Sequence, residues 1–204
     1  MASTPSRMIP LGTAMPAFSL PDTVSGRTLD SSALAGRPSV VIFICNHCPY
    51  VKHIRAGLAE FGRYCRSKGV PMVAISSNDV TGYPDDAPAA MARESASAGY
   101  IFPYLYDESQ AVAKAFDARC TPDLFIFDRE GKLAYRGQFD DARPSNQIPV
   151  TGNDARAAVE ALLAGKRPAA EQKASIGCNI KWKPDFSASP HGVGEGAAKP
   201  RGMG

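Results

Sequence analysis

The chain has 204 residues, 44% of them hydrophobic, and its 23 basic and 20 acidic side chains leave a net charge of only +3. That is enough apolar material for one full core, and a near-neutral chain without a single-sign run argues against nucleic acid or an anionic membrane as partner. The longest apolar run, Val40 to Cys45, is far too short to cross a bilayer.

Residues 1–10 read as a flexible N-terminus. The opening "MASTPSRMIPLGTAMPAFSL" has no basic segment followed by a continuous apolar stretch, so neither a signal peptide nor an anchor is expected. Up to residue 38 the chain is rich in Pro, Gly and Ser, which predicts an extended lead-in with a short hairpin around Ser25-Gly26. "SVVIFIC" (39–45) is a β-branched apolar run, the pattern of a strand buried on both faces. From Pro49 to Lys68, Val51, Ile54, Leu58, Phe61 and Cys65 recur every three or four places and mark one face of a helix, with Pro49 suited to its first turn.

"VPMVAIS" (70–76) predicts a second buried strand. After the polar loop "SNDVTGYPDDAP" come a helix over 87–98, a short apolar "FPYLYD" (102–107) and a short helix over 108–117. "DLFIFD" (123–128), "REGK" and "LAYRGQFD" (133–140) predict an antiparallel hairpin, and a last helix covers 153–164. Residues 11–165 thus form one domain, a mixed β-sheet with helices on both faces. Residues 166–204 form a C-terminal extension, expected to dock around 175–183 through "SIGCNIKWKP" and then to be disordered.

The five cysteines, at 45, 48, 65, 120 and 178, are odd in number and widely spaced. They do not form the framework of a small secreted domain. A reduced, cytoplasmic chain is expected, in which a cysteine pair is catalytic or metal-binding. Cys45 and Cys48 form a CxxC at the junction of the first buried strand and the first long helix, where α/β sheets place their chemistry. A helix N-terminus offers unpaired N–H groups and partial positive charge, which stabilise a thiolate. On this reasoning Cys45, at the helix mouth, attacks, and Cys48, one turn in, resolves. His47 between them favours the thiolate. Two packed core thiols are the ordinary alternative. Cys45 and Cys48 with His47 or His53 as metal ligands are another, although no second pair completes a tetrahedral set.

"RCTPDLFIFD" sets Thr121-Pro122 directly before a strand. With "CNHCPYVKH" upstream, this resembles the thioredoxin superfamily, and the resemblance implies that Pro122 is a cis-proline facing the CxxC. Thr121 and Pro122 would then line the substrate groove. A turn proline is the plainer alternative. From about Leu11 to Leu163 the chain is similar to the branch containing alkyl hydroperoxide reductase and thiol-specific antioxidant proteins. "CNHCPYVKH", "CTPDLFIFD" and "SIGCNIKWK" look like a peroxiredoxin-like family carrying CxxC.

The chain departs from the peroxiredoxin pattern P-x-x-x-[T/S]-x-x-C. With Cys48 at the peroxidatic position, Cys45 replaces the Thr and Val41 the Pro, so the hydroxyl that would orient a peroxide is gone. The implied activity is thiol–disulfide exchange on a thioredoxin-like fold. Substrates would be protein or small-molecule disulfides or thiols, with peroxides a further class. Electrons would come from a partner dithiol, with no cofactor and no metal. A divergent, antioxidant peroxidase in which Cys48 attacks peroxide is one rival; a copper-delivery type of metal-binding protein is the other. Cys120, beside Thr121, and Cys178, in the extension, are candidate additional redox thiols. Cys65 belongs to the core stripe, His53 to a solvated helix face, and Asp140 and Asp141 to a turn or cap.

Overall fold

The computed structural model describes residues 3–184. In chain order its strands are β1 (Ser3–Pro5), β2 (Ser19–Pro21), β3 (Thr28–Asp30) and β4 (Ser39–Phe43), followed by helix α1 (Pro49–Ser67) and β5 (Met72–Ser76). Helix α2 (Pro88–Ala98), β6 (Tyr104–Tyr106), helix α3 (Ala111–Ala115) and β7 (Cys120–Thr121) come next. The chain continues through β8 (Asp123–Phe127), β9 (Leu133–Gly137), helix α4 (Asn153–Leu163) and β10 (Ile176–Asn179).

The central sheet has the order β6-β5-β4-β8-β9; β4, β5 and β6 are parallel, and β8 and β9 return antiparallel. β4 takes the middle because its side chains are apolar on both faces. Val40 and Ile42 pack with Ile54, Leu58 and Phe61 of α1, whereas Val41 and Phe43 pack with Phe116 and Phe125 beneath the N-terminal lead-in. Each such side chain contributes about 1.5–3 kcal/mol on burial. α1 approaches closely at Gly62, where a Cβ would stand 2.5 Å from the Phe102 ring. The mixed sheet with helices on both sides is the thioredoxin-like arrangement expected. The hairpin expected near Ser25-Gly26 is the pair β2–β3.

A second, smaller sheet has the order β1-β10-β7, with β10 antiparallel to both neighbours. Residues 3–5 were expected to be flexible, but they lie paired to the C-terminal extension, Ser3 against Cys178. The helix expected over 108–117 is shortened to five residues because Gln110 adopts a left-handed conformation (φ 63°) just before it. The expected disorder at the end of the chain lies outside the described residues.

Candidate functional site

Cys45 lies two residues beyond β4, and Cys48 is the N-cap of α1 with Pro49 as the first helical residue. Cys48, not Cys45, therefore stands at the helix mouth, which corrects the placement expected from spacing alone. Proline supplies the reason: its fixed φ and missing N–H suit the first helical position, which leaves Cys45 in the preceding turn. Both thiols are buried, at 1% and 0% exposure.

β7 brings Thr121 against both sulfurs. Its hydroxyl lies 3.3 Å from Cys45 Sγ, and the Cys48 thiol donates to its carbonyl at 3.1 Å. The Thr121–Pro122 peptide is cis. Pro122 walls a crevice of about 20 Å³ with Tyr50, Ile54, Phe139 and Ile176, roughly the room of one water. The 340 Å³ hollow at Leu34, Met72 and Phe102 lies at the opposite end of β4 and β5 and contains no thiol.

The two cysteines titrate as a pair. A hydrogen bond from Cys45 does most to lower Cys48 to about 5; burial opposes it, while Cys178, Thr121 and the Val51 amide of the first helical turn reinforce it. The positive end of α1 acts in the same sense, against the Thr121 carbonyl, which favours the protonated thiol. Cys45 is pushed up by its hydrogen bond to Cys48, by burial and by the nearby Asp86 carboxylate. These surroundings favour the thiolate form on Cys48 over Cys45.

His47 pairs with a carboxylate. Its Nδ1 lies 2.6 Å from Asp86 Oδ2, and its ring stacks on Tyr83 at 5.0 Å. Asp86 is fully buried and also accepts from the Asn46 amide at 2.7 Å and from Asn78 Nδ2 at 2.8 Å. Burial alone would raise its carboxyl, but these hydrogen bonds outweigh burial and hold it below the usual range. Asp86 was missed in the sequence because "YPDDAP" reads as an ordinary polar loop; nothing local signals that it folds back over residues 46–47. Cys45 Sγ, a His47 ring nitrogen and an Asp86 oxygen lie within 4.8 Å of one another, a sulfur–nitrogen–oxygen set of the kind that suits zinc or copper.

The remaining candidates separate clearly. Cys178 faces Thr121 across the β7–β10 ladder, is 2% exposed, and shares one buried cluster with Cys45 and Cys48. Burial first, and then Cys48, push its thiol up to about 12. Cys120 is buried with its thiol turned to the Pro122 carbonyl at 3.5 Å, and burial raises it. Cys65 is a core residue raised by burial to about 12. Asp140 orders the loop before α4 by accepting the Thr151 and Gly152 amides, both at 2.7 Å, and Asp141 pairs with Lys173 at 2.8 Å.

The profile of the AhpC/TSA family matches residues 11–136, well over half the chain. The chain belongs to the AhpC/TSA family. An uncharacterized conserved protein from Geobacillus kaustophilus is 50% identical, with a TM-score of 0.88 over 90% of this chain and 98% of that one. A hypothetical protein from Sinorhizobium meliloti 1021 is 47% identical, with a TM-score of 0.86 over 89% and 99%. A secreted Mycobacterium tuberculosis disulfide oxidoreductase homologous to E. coli DsbE is similar at 19% identity, with a TM-score of 0.55 over 71% and 96%. At that identity the likeness speaks for the thioredoxin-like fold. No curated protein matches the chain. The AhpC/TSA span includes both CxxC cysteines and Thr121-Pro122, but ends before α4 and β10, so Cys178 lies outside it.

Proposed function

We propose that this AhpC/TSA protein is a thiol–disulfide oxidoreductase working through Cys45 and Cys48, with Cys48 as the attacking thiolate. One observation carries the proposal. Two neighbouring thiols sit at a helix N-terminus, both held against Thr121, and only the one at the helix end is driven toward thiolate. Family membership and the disulfide-oxidoreductase neighbour with the same fold support a redox role.

In the proposed cycle Cys48 attacks one sulfur of a disulfide and expels the other as thiolate. Cys45 then releases its proton toward the adjacent His47–Asp86 pair and attacks the Cys48 sulfur. The second substrate thiol leaves, and a Cys45–Cys48 disulfide remains. The substrate gains two electrons that the pair loses, and a partner dithiol returns them. Thr121 and Pro122 line the approach to the sulfurs. A stabilised reduced form makes the couple the more oxidising. The expected setting is a reducing, cytoplasmic compartment; no helix among the described residues is long and apolar enough to cross a membrane.

The test is reduction of glutathione disulfide or insulin with dithiothreitol as donor. Cys48→Ser is expected to lose at least 100-fold of the rate, whereas Cys45→Ser is expected to keep a Cys48 that still opens the substrate disulfide. Full activity in Cys48→Ser contradicts the proposal. Two other readings have an observation behind them. A low-lying Cys48 thiolate suits a thiol peroxidase, which would turn over hydrogen peroxide and survive Cys45→Ser. The Cys45–His47–Asp86 set suits a metal-binding protein, which would take up zinc or copper at nanomolar affinity without reductase activity.

A further inference from the structure

We infer that Cys178 is a third redox thiol, carried to Cys48 by the chain's own strand β10, and that the protein forms a Cys48–Cys178 disulfide. The inference rests on the oxidoreductase reading above and extends it to a residue outside the AhpC/TSA span. The register of the small sheet carries it first. β10 lies along the edge of β7, so that Cys178 pairs with Thr121, the residue whose backbone and side chain hold both CxxC sulfurs. The Cys48 thiol donates to the carbonyl of that same Thr121, and Cys45, Cys48 and Cys178 belong to one buried cluster, in which Cys48 and Cys178 shift one another's titration.

The placement of β10 is built into the fold from both ends. On one side Ser6 donates its amide to the Ser175 carbonyl at 2.8 Å and accepts the Ser175 amide on its hydroxyl at 2.9 Å. On the other, Asn78 accepts the Lys181 amide at 2.8 Å, and Gln110 donates to the Lys181 carbonyl at 2.8 Å while accepting the Lys183 amide at 2.9 Å. Asn78 also donates to Asp86, so one side chain ties this segment to the loop between the two CxxC cysteines. In the middle, Gly177 lies so close that a Cβ would fall 2.0 Å from the Thr121 carbonyl oxygen. A segment fixed this tightly presents its one sulfur to Cys48 in a defined position.

Two routes to the new bond balance without any reagent beyond those of the proposed function. In the first, Cys178 attacks the Cys48 sulfur of a Cys45–Cys48 disulfide; the Cys48–Cys178 bond forms, and Cys45 leaves with the proton that Cys178 gives up. No net oxidation occurs. In the second, Cys178 resolves a mixed disulfide on Cys48, and the substrate thiol departs with that proton. Either route returns Cys45 to the thiol state and binds the C-terminal extension covalently to the helix mouth.

The test uses full-length reduced protein oxidised with glutathione disulfide, quenched in acid, alkylated, and digested without reduction for mass spectrometry. In Cys45→Ser the Cys48–Cys178 linked peptide is expected to dominate, with two glutathione thiols released per chain. Adding Cys178→Ser is expected to leave glutathione on Cys48 and to halve the release. If Cys45→Ser keeps glutathione on Cys48 while Cys178 remains fully alkylated, the inference is overturned. Should Cys45→Ser fail to fold, oxidised wild type answers in its place: both Cys45–Cys48 and Cys48–Cys178 peptides support the inference, and Cys45–Cys48 alone overturns it. A wild-type Cys48 that never reacts contradicts the oxidoreductase reading itself, and this inference with it.

Discussion

Cys48 and Asp123 show how hydrogen bonding and burial act in opposite directions on two buried acids. Cys48 gains more from Cys45 and the other groups around it than it loses to burial, and falls to about 5. Iodoacetamide labelling resolved by residue is therefore expected to modify Cys48 with a midpoint near pH 5, whereas a midpoint near 9 would make it an ordinary thiol. Asp123 follows Pro122 at the start of β8 and accepts the Arg119 amide at 3.0 Å, but its Oδ1 has no partner. Burial raises it from 3.8 to about 7. The folded chain thus binds the proton more tightly than the unfolded one, so this group's contribution to stability falls as pH rises from about 4 to about 7 and stays low above. Asp123→Asn is expected to stabilise the protein by about 1–3 kcal/mol at pH 8, with the difference closing by pH 4. Urea unfolding at the two pH values measures it; a difference independent of pH contradicts the account.

At the scale of elements, the central strands and α1 were legible in the sequence because one-dimensional patterns determine them. The β-branched "SVVIF" becomes the middle strand, and the spacing of Val51, Ile54, Leu58 and Phe61 becomes the buried face of α1. The pairing of β1 with β10 was not legible, since strands of three and four residues carry too little periodicity to identify their partners. Cys48 as N-cap was missed for a narrower reason. Spacing placed the CxxC at a helix start, but only the proline decides which cysteine is the last residue before the helix. The docking of β10 makes its own prediction. Gly177→Ala forces a Cβ onto the Thr121 carbonyl, so β10 should lift, at a cost of about 1–3 kcal/mol. Cys48 and Cys178 should then alkylate faster in the native protein. Unchanged labelling would mean that β10 does not cover the sulfurs in solution.

At the scale of the molecule, the site is an assembly of distant segments. The turn at 45–48, the loop at 78–86, β7 and β10 come from four parts of the chain, and Asp86, Asn78 and Thr121 join them. The CxxC and Thr121-Pro122 could be read as sequence motifs. Asp86 and Asn78 could not, because their role exists only once the sheet has brought the loop over the CxxC. The most direct measurement of the redox claim is a titration of the wild-type protein in thiol–disulfide buffers, with each cysteine followed by alkylation. Cys48 is expected to lose and regain its reactivity in one two-electron transition, the matching loss being shared between Cys45 and Cys178, at a potential less negative than the roughly −270 mV of a typical reducing dithiol. Cysteines that stay alkylatable at every potential, or a transition well below that value, would contradict the account.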